Sequence, residues 1–136
     1  MTLRLAQAPD TFIACHTYPP MYFGEQDFRL RNQHLLQGLG DEVGPLAGPL
    51  VVMGDLNVDM WSVFYKEMIR RSGMQNARRG YGVFPSQIPI VGVACQGMVG
   101  PPIDQCLVKG PLRVTSFRTG PHLGSDHLPI LVELEF

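Results

Sequence analysis

The sequence has few cysteines: Cys15, Cys95 and Cys106 are the only three in 136 residues, and none has the close spacing of a metal-binding pair. An odd number of cysteines without paired spacing argues against a disulfide framework and against a structural zinc site. Cys15 and Cys106 lie within apolar runs, which is typical of buried thiols. The small domain classes that depend on disulfides or zinc are therefore excluded.

The sequence also has no large excess of charge and no long apolar run. The formal net charge is −1, so the chain lacks the broad basic field of a nucleic-acid-binding domain. We interpret the arginine pairs at 70–71 and 78–79 as solvated, with contact to phosphate groups as the alternative. No stretch approaches the roughly 20 apolar residues of a membrane span, and Met1–Asp10 has no signal-peptide core. The chain as given is predicted to be soluble, and an anchor in a longer parent protein would lie upstream.

Length and composition indicate one globular domain, with 45% hydrophobic and 17% charged residues. Apolar runs predict five strands, at Thr11–Cys15, Leu50–Gly54, Ile103–Val108, Leu112–Arg118 and Leu128–Glu133. Helical periodicity predicts helices over Glu25–Leu39, ended by Gly40, and over Asp59–Ser72. Residues 80–100 are predicted to form an irregular loop with at most one short strand. The predicted fold class is α/β, with one mixed or mainly antiparallel sheet and helices on one face.

Two short motifs place polar side chains at the ends of predicted strands. Met53-Gly54-Asp55-Leu56-Asn57 follows the buried run that includes Val51 and Val52, and Gly124-Ser125-Asp126-His127-Leu128-Pro129 precedes the last strand. Carboxylate, amide and imidazole groups that meet at one edge of a sheet can hold a hard divalent cation and can move protons. The sequence therefore predicts a hydrolytic or metal site at this edge.

Three further segments occur in order with these motifs: Ala14–Pro20 around His16, Pro102–Val108 around Asp104, and Gly120–His127. Together the five segments resemble the endonuclease/exonuclease/phosphatase superfamily, which has the deoxyribonuclease-I-like fold of Mg²⁺-dependent phosphodiesterases and phosphatases. The resemblance covers Thr11–Phe136, and Gly120–His127 is similar to the form in membrane-anchored bacterial members. Family domains are much longer, two packed sheets flanked by helices. The resemblance therefore implies the C-terminal half of a four-layer α/β sandwich.

The resemblance implies the roles of the first motif. Asp55 would orient or deprotonate the attacking water, and Asn57, on the same side of an extended segment, would donate to a phosphate oxygen. Asp55 and Asp126 would be the metal ligands, with Mg²⁺ as the cofactor and Mn²⁺ as a substitute. The metal-binding Glu of the family's first half has no counterpart in Met1–Asp10, which predicts weakened metal binding. An Asx turn or a helix N-cap is the alternative explanation of Asp55 and Asn57.

The resemblance also implies how the two histidines act. His127 would contact the scissile phosphate, and Asp104 would orient its ring and favour its charged form. A strand-end turn is the alternative for Asp104, and a hydrogen-bonded structural histidine is the alternative for His127. His16 would protonate the leaving oxygen, although Tyr18 lies close enough to take this role. Trp61 resembles a pattern of the membrane-anchored subgroup, but we favour a core aromatic residue there.

A sheet with helices on one side leaves its other face bare, so we expect the chain to form a homodimer or to pair with the missing N-terminal half. The predicted function is a metal-dependent phosphoester hydrolase, incomplete and weak or inactive alone. The alternative is a non-catalytic truncated relative that self-associates or binds a phosphorylated ligand. The substrate class stays open among nucleic acid, phospholipid and small phosphoesters, because selectivity depends on loops such as 18–25 and 80–100.

Overall fold

The computed structural model describes residues 11–19, 26–88 and 100–136, and gives only the backbone of residues 26–29. Along the described chain the elements are β1 (Thr11–Ala14), α1 (Gln26–Val43), β2 (Leu50–Asp55), α2 (Val63–Ser72), β3 (Gln75–Asn76), β4 (Asp104–Lys109), β5 (Arg113–Thr119) and β6 (Ile130–Glu135).

The main sheet has four strands in the order β1-β2-β4-β3. Strand β1 runs parallel to β2, and β4 runs antiparallel to both β2 and β3. The β2–β4 ladder extends from Leu50 opposite Lys109 to Asp55 opposite Asp104. Leu50, Val51 and Val52 are all buried because protein covers both faces of β2, which explains the unbroken apolar run. The predicted α/β fold with a mixed sheet is confirmed.

Both helices cover the same face of this sheet. Leu36 and Val43 of α1 and Met68 of α2 form one core with Val52 and Leu107 of the sheet. Burial of such side chains contributes about 1.5–3 kcal/mol each, so this layer supplies much of the driving force for folding. The helices thus hold β2 and β4 in place beneath them.

A second sheet, formed by β5 and β6, packs on the opposite face. Phe117 of β5 lies in a core with Val51, Cys106 and Val108, and Val132 of β6 packs against it. The face that we expected to be bare is therefore at least partly covered by the same chain. Strand periodicity shows which side chains face a core, but it does not show which sheet a strand joins.

Helix α1 continues past Gly40 to Val43, so the prediction that Gly40 ends the helix is wrong. A Cβ at Gly40 would lie 3.1 Å from the Cβ of Arg71 and 3.2 Å from the carbonyl oxygen of Met68. Gly40 therefore lies where the two helices approach each other closely, which sequence alone does not distinguish from a helix end.

The start of α2 also differs from the prediction. Asp59 accepts hydrogen bonds from the backbone N–H groups of Trp61 and Ser62, forming a turn, and Ser62 then caps the helix by accepting from Phe64. The helix begins at Val63, and Trp61 before it is 56% exposed. The interpretation of Trp61 as a core residue is therefore wrong.

Strand β3 was not predicted, because two residues are too few to show a pattern. Most of the two predicted selectivity loops, at residues 20–25 and 89–99, lies outside the described residues. Among the helices in the described part of the chain, none is both long and apolar enough to span a membrane.

Candidate functional site

The site is built where β1 and β2 end side by side. The N–H of Cys15 donates to the carbonyl of Met53 at 3.0 Å, and the N–H of Thr17 donates to that of Asp55 at 3.0 Å. A Cβ on Gly54 would lie 1.9 Å from the carbonyl oxygen of Cys15, and Gly54 has φ of +150°. Only glycine permits this approach and this backbone angle. Gly54 therefore allows the chain to present Asp55 at the sheet edge.

Asn57 lies in a tight turn after β2. Its backbone N–H donates to Oδ1 of Asp55 at 2.8 Å, and its φ of +48° is left-handed. Its side-chain Nδ2 donates to the carbonyl of Thr17 at 2.8 Å and lies 3.2 Å from Oδ2 of Asp55. The expected extended segment is therefore wrong, because β2 ends at Asp55. The Asx-type turn left open as an alternative is present, and it fixes the Asp55 carboxylate.

Asp104 and His127 form a hydrogen-bonded pair, with Nδ1 of His127 2.7 Å from Oδ2 of Asp104. Asp104 opens β4 directly opposite Asp55, whereas His127 comes from the loop before β6 and bridges to Gln87. The other ring nitrogen, Nε2, lies 3.9 Å from Oδ2 of Asp55. One imidazole therefore stands between two carboxylates that a single rung of the sheet brings together.

His16 and Asp126 lie at the exposed side of this group. Nε2 of His16 is 3.7 Å from Oδ2 of Asp55, and its side chain is 74% exposed. Asp126 is also exposed, and the hydroxyl of Ser125 donates to its Oδ1 at 3.4 Å. Within the described chain, the group whose ligand atoms lie within 4.8 Å of one another is Asp55, Asp104 and His127. Asp126 is not in that group, so its role as a metal ligand stays a prediction.

The environment changes the proton affinity of two of these groups. Burial raises the pKa of Asp55, and the charge of Asp104 raises it further. The N–H bond from Asn57 and the charges of His127 and His16 lower it, but the net pKa is raised. Burial lowers the pKa of His127, but the hydrogen bond to Asp104 and the nearby carboxylates outweigh it, and the net pKa is raised. Asp55 is therefore a stronger base than an ordinary carboxylate, and a larger fraction of His127 is protonated at neutral pH than of an ordinary histidine.

Sequence reasoning missed Asn32, a buried amide on α1 that ties the two strand ends together. Its Nδ2 lies 2.9 Å from the hydroxyl of Thr17, 2.8 Å from the carbonyl of Tyr18 and 3.2 Å from that of Leu56. Thr17 is itself buried and donates to the same Leu56 carbonyl. A polar residue on the apolar face of a predicted helix was the available signal.

A second buried amide, Gln105, supports β4 beside the site. It accepts from Asn76 at 3.1 Å and donates to the carbonyls of Val58 and Pro102 at 3.2 and 2.6 Å. These bonds fix the chain that follows Asn57 against the start of β4.

The donor set can be tested against a divalent cation. Mg²⁺ takes oxygen ligands and is commonly held by one or two carboxylates, with water and substrate phosphate completing its shell. Nδ1 of His127 already bonds to Asp104, whereas the carboxylates of Asp55 and Asp104 each keep lone pairs beyond their present hydrogen bonds. The residues therefore fit an ion held by these carboxylates, with few protein ligands.

A mixed sheet between two helices and a second sheet, with carboxylates and histidine at one sheet edge, is typical of α/β hydrolytic domains. Residues 3–127 match the Endonuclease/Exonuclease/phosphatase family, and the chain belongs to that family. The resemblance found in the sequence is thus confirmed at family level. No curated protein matches the chain.

Solved structures with the same fold share about a fifth of its residues. The chain is 20% identical to a mannosyl-6-phosphatase from Bacteroides thetaiotaomicron, with a TM-score of 0.56, covering 85% of this chain and 49% of that one. An endonuclease/exonuclease/phosphatase from Beutenbergia cavernae has 20% identity and a TM-score of 0.64, with coverages of 88% and 33%. A family protein from Leptotrichia buccalis has 19% identity and a TM-score of 0.61, with coverages of 92% and 48%. The chain spans about half or less of each of these structures.

Proposed function

We propose that this chain is part of a divalent-metal-dependent phosphoester hydrolase. The observation that carries the proposal is the line from Asp104 through His127 to Asp55, with 2.7 Å between Asp104 and Nδ1 and 3.9 Å between Nε2 and Asp55. An imidazole held by one carboxylate and facing another is suited to binding a phosphate oxygen while a base acts on water beside it. The phosphatase from B. thetaiotaomicron is a structural neighbour with compatible chemistry.

Each side chain has a distinct task in this proposal. Asp55 orients or deprotonates the attacking water, with its carboxylate fixed by the turn to Asn57. His127, kept protonated by Asp104, donates to a phosphate oxygen and stabilises the charge that develops there. Exposed His16 donates a proton to the leaving oxygen. The Asn57 amide, whose N–H groups already bond to Thr17 and Asp55, positions the Asp55 carboxylate and not the phosphate.

A metal ion, Mg²⁺ or Mn²⁺, is the proposed cofactor. It would be held by Asp55, with Asp126 as the second proposed ligand, and would supply charge stabilisation at the phosphate. We propose that the chain corresponds to the C-terminal half of the family domain, since it spans half or less of its structural neighbours. With the family's metal-binding Glu lacking a counterpart, turnover by this chain alone is expected to be weak or absent.

The experiment that tests the function is hydrolysis of a chromogenic phosphodiester and a phosphomonoester with Mg²⁺, Mn²⁺ or EDTA. Asp55→Asn and His127→Ala are compared with Asp41→Asn and His34→Ala, which alter exposed residues of α1. Where turnover is measurable, with this chain alone or with an added N-terminal half of a family domain, we expect it to be metal-dependent and to fall roughly 100-fold or more in the first pair, since each removes a group that acts on protons. Turnover unchanged in that pair would contradict the assignment.

The alternative is a non-catalytic module that binds a phosphorylated ligand at the same edge. It predicts no hydrolysis above the Asp55→Asn background, together with phosphate-induced NMR shifts at His127 and Asn57. If hydrolysis appears only when the missing half of a family domain is supplied as a second chain, the C-terminal-half assignment is supported. The two generic substrates of the assay do not decide between nucleic acid, phospholipid and small phosphoesters, so each class is then tested directly.

A further inference from the structure

Arg78 is the largest fully buried side chain in the described residues, with 2% exposure, although its sequence pair with exposed Arg79 predicted a solvated residue. Its Nη2 donates to the carbonyl of Asp104 at 2.7 Å, while Nε and Nη1 are buried without any partner. Its guanidinium carbon lies 4.9 Å from the centre of the Phe117 ring. A buried cation with two unpaired N–H groups is costly, and an apolar side chain would fill the same space at lower cost.

The Asp104 carbonyl that Arg78 contacts lies on the edge of β4, just beyond the part of that edge that pairs with β3. The N–H of Ala77, just past β3, donates to the carbonyl of Cys106 at 2.9 Å. Alternate carbonyls of a strand face the same neighbour, so the next one on this side belongs to Asp104. No backbone donor reaches it among the described hydrogen bonds, and Nη2 of Arg78 takes that place. The arginine side chain thus continues the edge ladder by one rung.

The other backbone group of Asp104 is held in a similar way, since its N–H donates to the hydroxyl of Ser86 at 3.1 Å. The backbone carbonyl of Ser86 in turn accepts from the N–H of Leu128, next to His127. Two side chains therefore clamp the backbone of the residue whose carboxylate binds the imidazole. The positive charge of Arg78 also interacts with the carboxylate of Asp104.

We propose that Arg78 is a positioning residue that holds Asp104 so that its carboxylate keeps His127 in the Nδ1–H tautomer. This inference rests on the proposed function for its catalytic meaning, but the geometric claim is separate. When the ring is neutral, a carboxylate at Nδ1 requires the proton on that nitrogen and leaves Nε2 as an acceptor facing Asp55 and the proposed substrate. When the ring is charged, the same contact directs the Nε2 proton towards Asp55 and the proposed substrate.

The test is the tautomer of His127, read from long-range ¹H–¹⁵N spectra of the histidine-labelled chain at a pH where the ring is neutral. We expect the Nδ1–H form in the parent chain and a mixture with the Nε2–H form in Arg78→Met. Arg78→Lys, which keeps a charged donor, is expected to retain the parent form. Arg79→Met is the matched control, because it removes the adjacent exposed arginine.

A purely structural role for Arg78 gives a different result. Met68→Ala weakens the helix-side core without touching Asp104, and its His127 tautomer is expected to match the parent. The proposal would be overturned if Arg78→Met kept the parent tautomer of His127. It would also be overturned if Met68→Ala lost as much of the Nδ1–H form as Arg78→Met, or if Arg78→Lys lost that form. If Arg78→Met gives no dispersed spectrum, Arg78→Gln, whose shorter neutral side chain does not reach the carbonyl in the same way, takes its place under the same criteria.

The spectra need no turnover, so they decide the role of Arg78 even if the hydrolase proposal fails. Where turnover is measurable, Arg78→Met is expected to lower kcat by roughly 10–100-fold with KM nearly unchanged, as is typical when a group that orients a site residue is removed. If the tautomers follow these expectations but no hydrolysis appears even with the N-terminal half of a family domain added, the result counts against the function and not against Arg78.

Discussion

At the scale of single residues, the contact between His127 and Asp104 has the most specific consequence. Burial lowers the pKa of His127, yet the hydrogen bond and the charges of Asp104, Asp55 and Asp126 raise it to a greater extent. The pair therefore stabilises the folded chain fully below the ordinary histidine pKa of about 6.5. That stabilisation is lost as the pH rises through the raised pKa of the folded state.

We predict that Asp104→Asn lowers the pKa of His127, because it removes both a charge and the acceptor that favours the charged ring. An NMR titration of the ring protons measures the change, with Asp41→Asn as the control. The variant should also lose the extra dependence of stability on pH between about 6.5 and the raised pKa. An unchanged titration of His127 would show that Asp104 does not govern its charge.

Asn32 gives a second prediction at this scale. Asn32→Ala removes the amide that contacts Thr17, Tyr18 and Leu56, and it takes away one N–H donor from the carbonyls of Tyr18 and Leu56. The expected loss in the free energy of unfolding is about 1–3 kcal/mol, measured by urea denaturation. His34→Ala, on the exposed side of the same helix, should change it by less than about 0.5 kcal/mol. Similar losses in both variants would contradict the role of Asn32.

At the scale of elements, the packing of α1 against α2 can be tested with two glycines of one helix. A Cβ at Gly40 would be 3.1 Å from the Cβ of Arg71, whereas a Cβ at Gly38 meets no atom within 4 Å. Gly38→Ala is expected to stabilise the chain by about 0.5–1 kcal/mol through helix propensity. Gly40→Ala should instead destabilise it by about 1 kcal/mol, because overpacking outweighs that gain. Thermal or urea unfolding measures the change in stability of each variant. Equal stabilisation by Gly38→Ala and Gly40→Ala would refute the close packing of the two helices at Gly40.

The elements themselves were largely predictable. The apolar runs that became β2 and β4 were located to within one residue, because strands covered on both faces consist of unbroken hydrophobic residues. The start of α2 was missed because the turn at Asp59 depends on side-chain hydrogen bonds that periodicity does not detect. Strand β3 was missed because it exists only where the edge of β4 offers it a partner.

At the scale of the whole molecule, we propose that this chain does not remain a free monomer. It spans half or less of the structures that share its fold. In the described residues β1 pairs on one side only, with β2, and the β5–β6 sheet leaves Leu131 and Phe136 exposed at 37% and 51%. An unpaired edge strand and exposed apolar side chains each favour association.

The proposed partner is a second copy of the chain or an N-terminal half of a family domain. Sedimentation velocity over a range of concentrations should show a dimer, or a monomer that binds a hydrophobic dye and loses that binding when the other half is added. A stable monomer that binds no dye would refute the proposal. The variant Leu131→Lys is expected to weaken self-association if the β5–β6 sheet takes part. The control is Leu30→Lys, which alters an exposed side chain of α1.

The sequence by itself determined the family, the α/β class and the identity of the groups at the sheet edge. These depend on residue type, local periodicity and motif order, which are properties of the linear chain. Only the tertiary structure decided that β5 and β6 form a separate sheet and that Asp104 faces Asp55 on one rung. It also decided that Arg78 is buried beneath Asp104 while its neighbour Arg79 is exposed. Pairing, register and burial result from contacts between residues far apart in sequence, and no local pattern encodes which distant segment will be the partner.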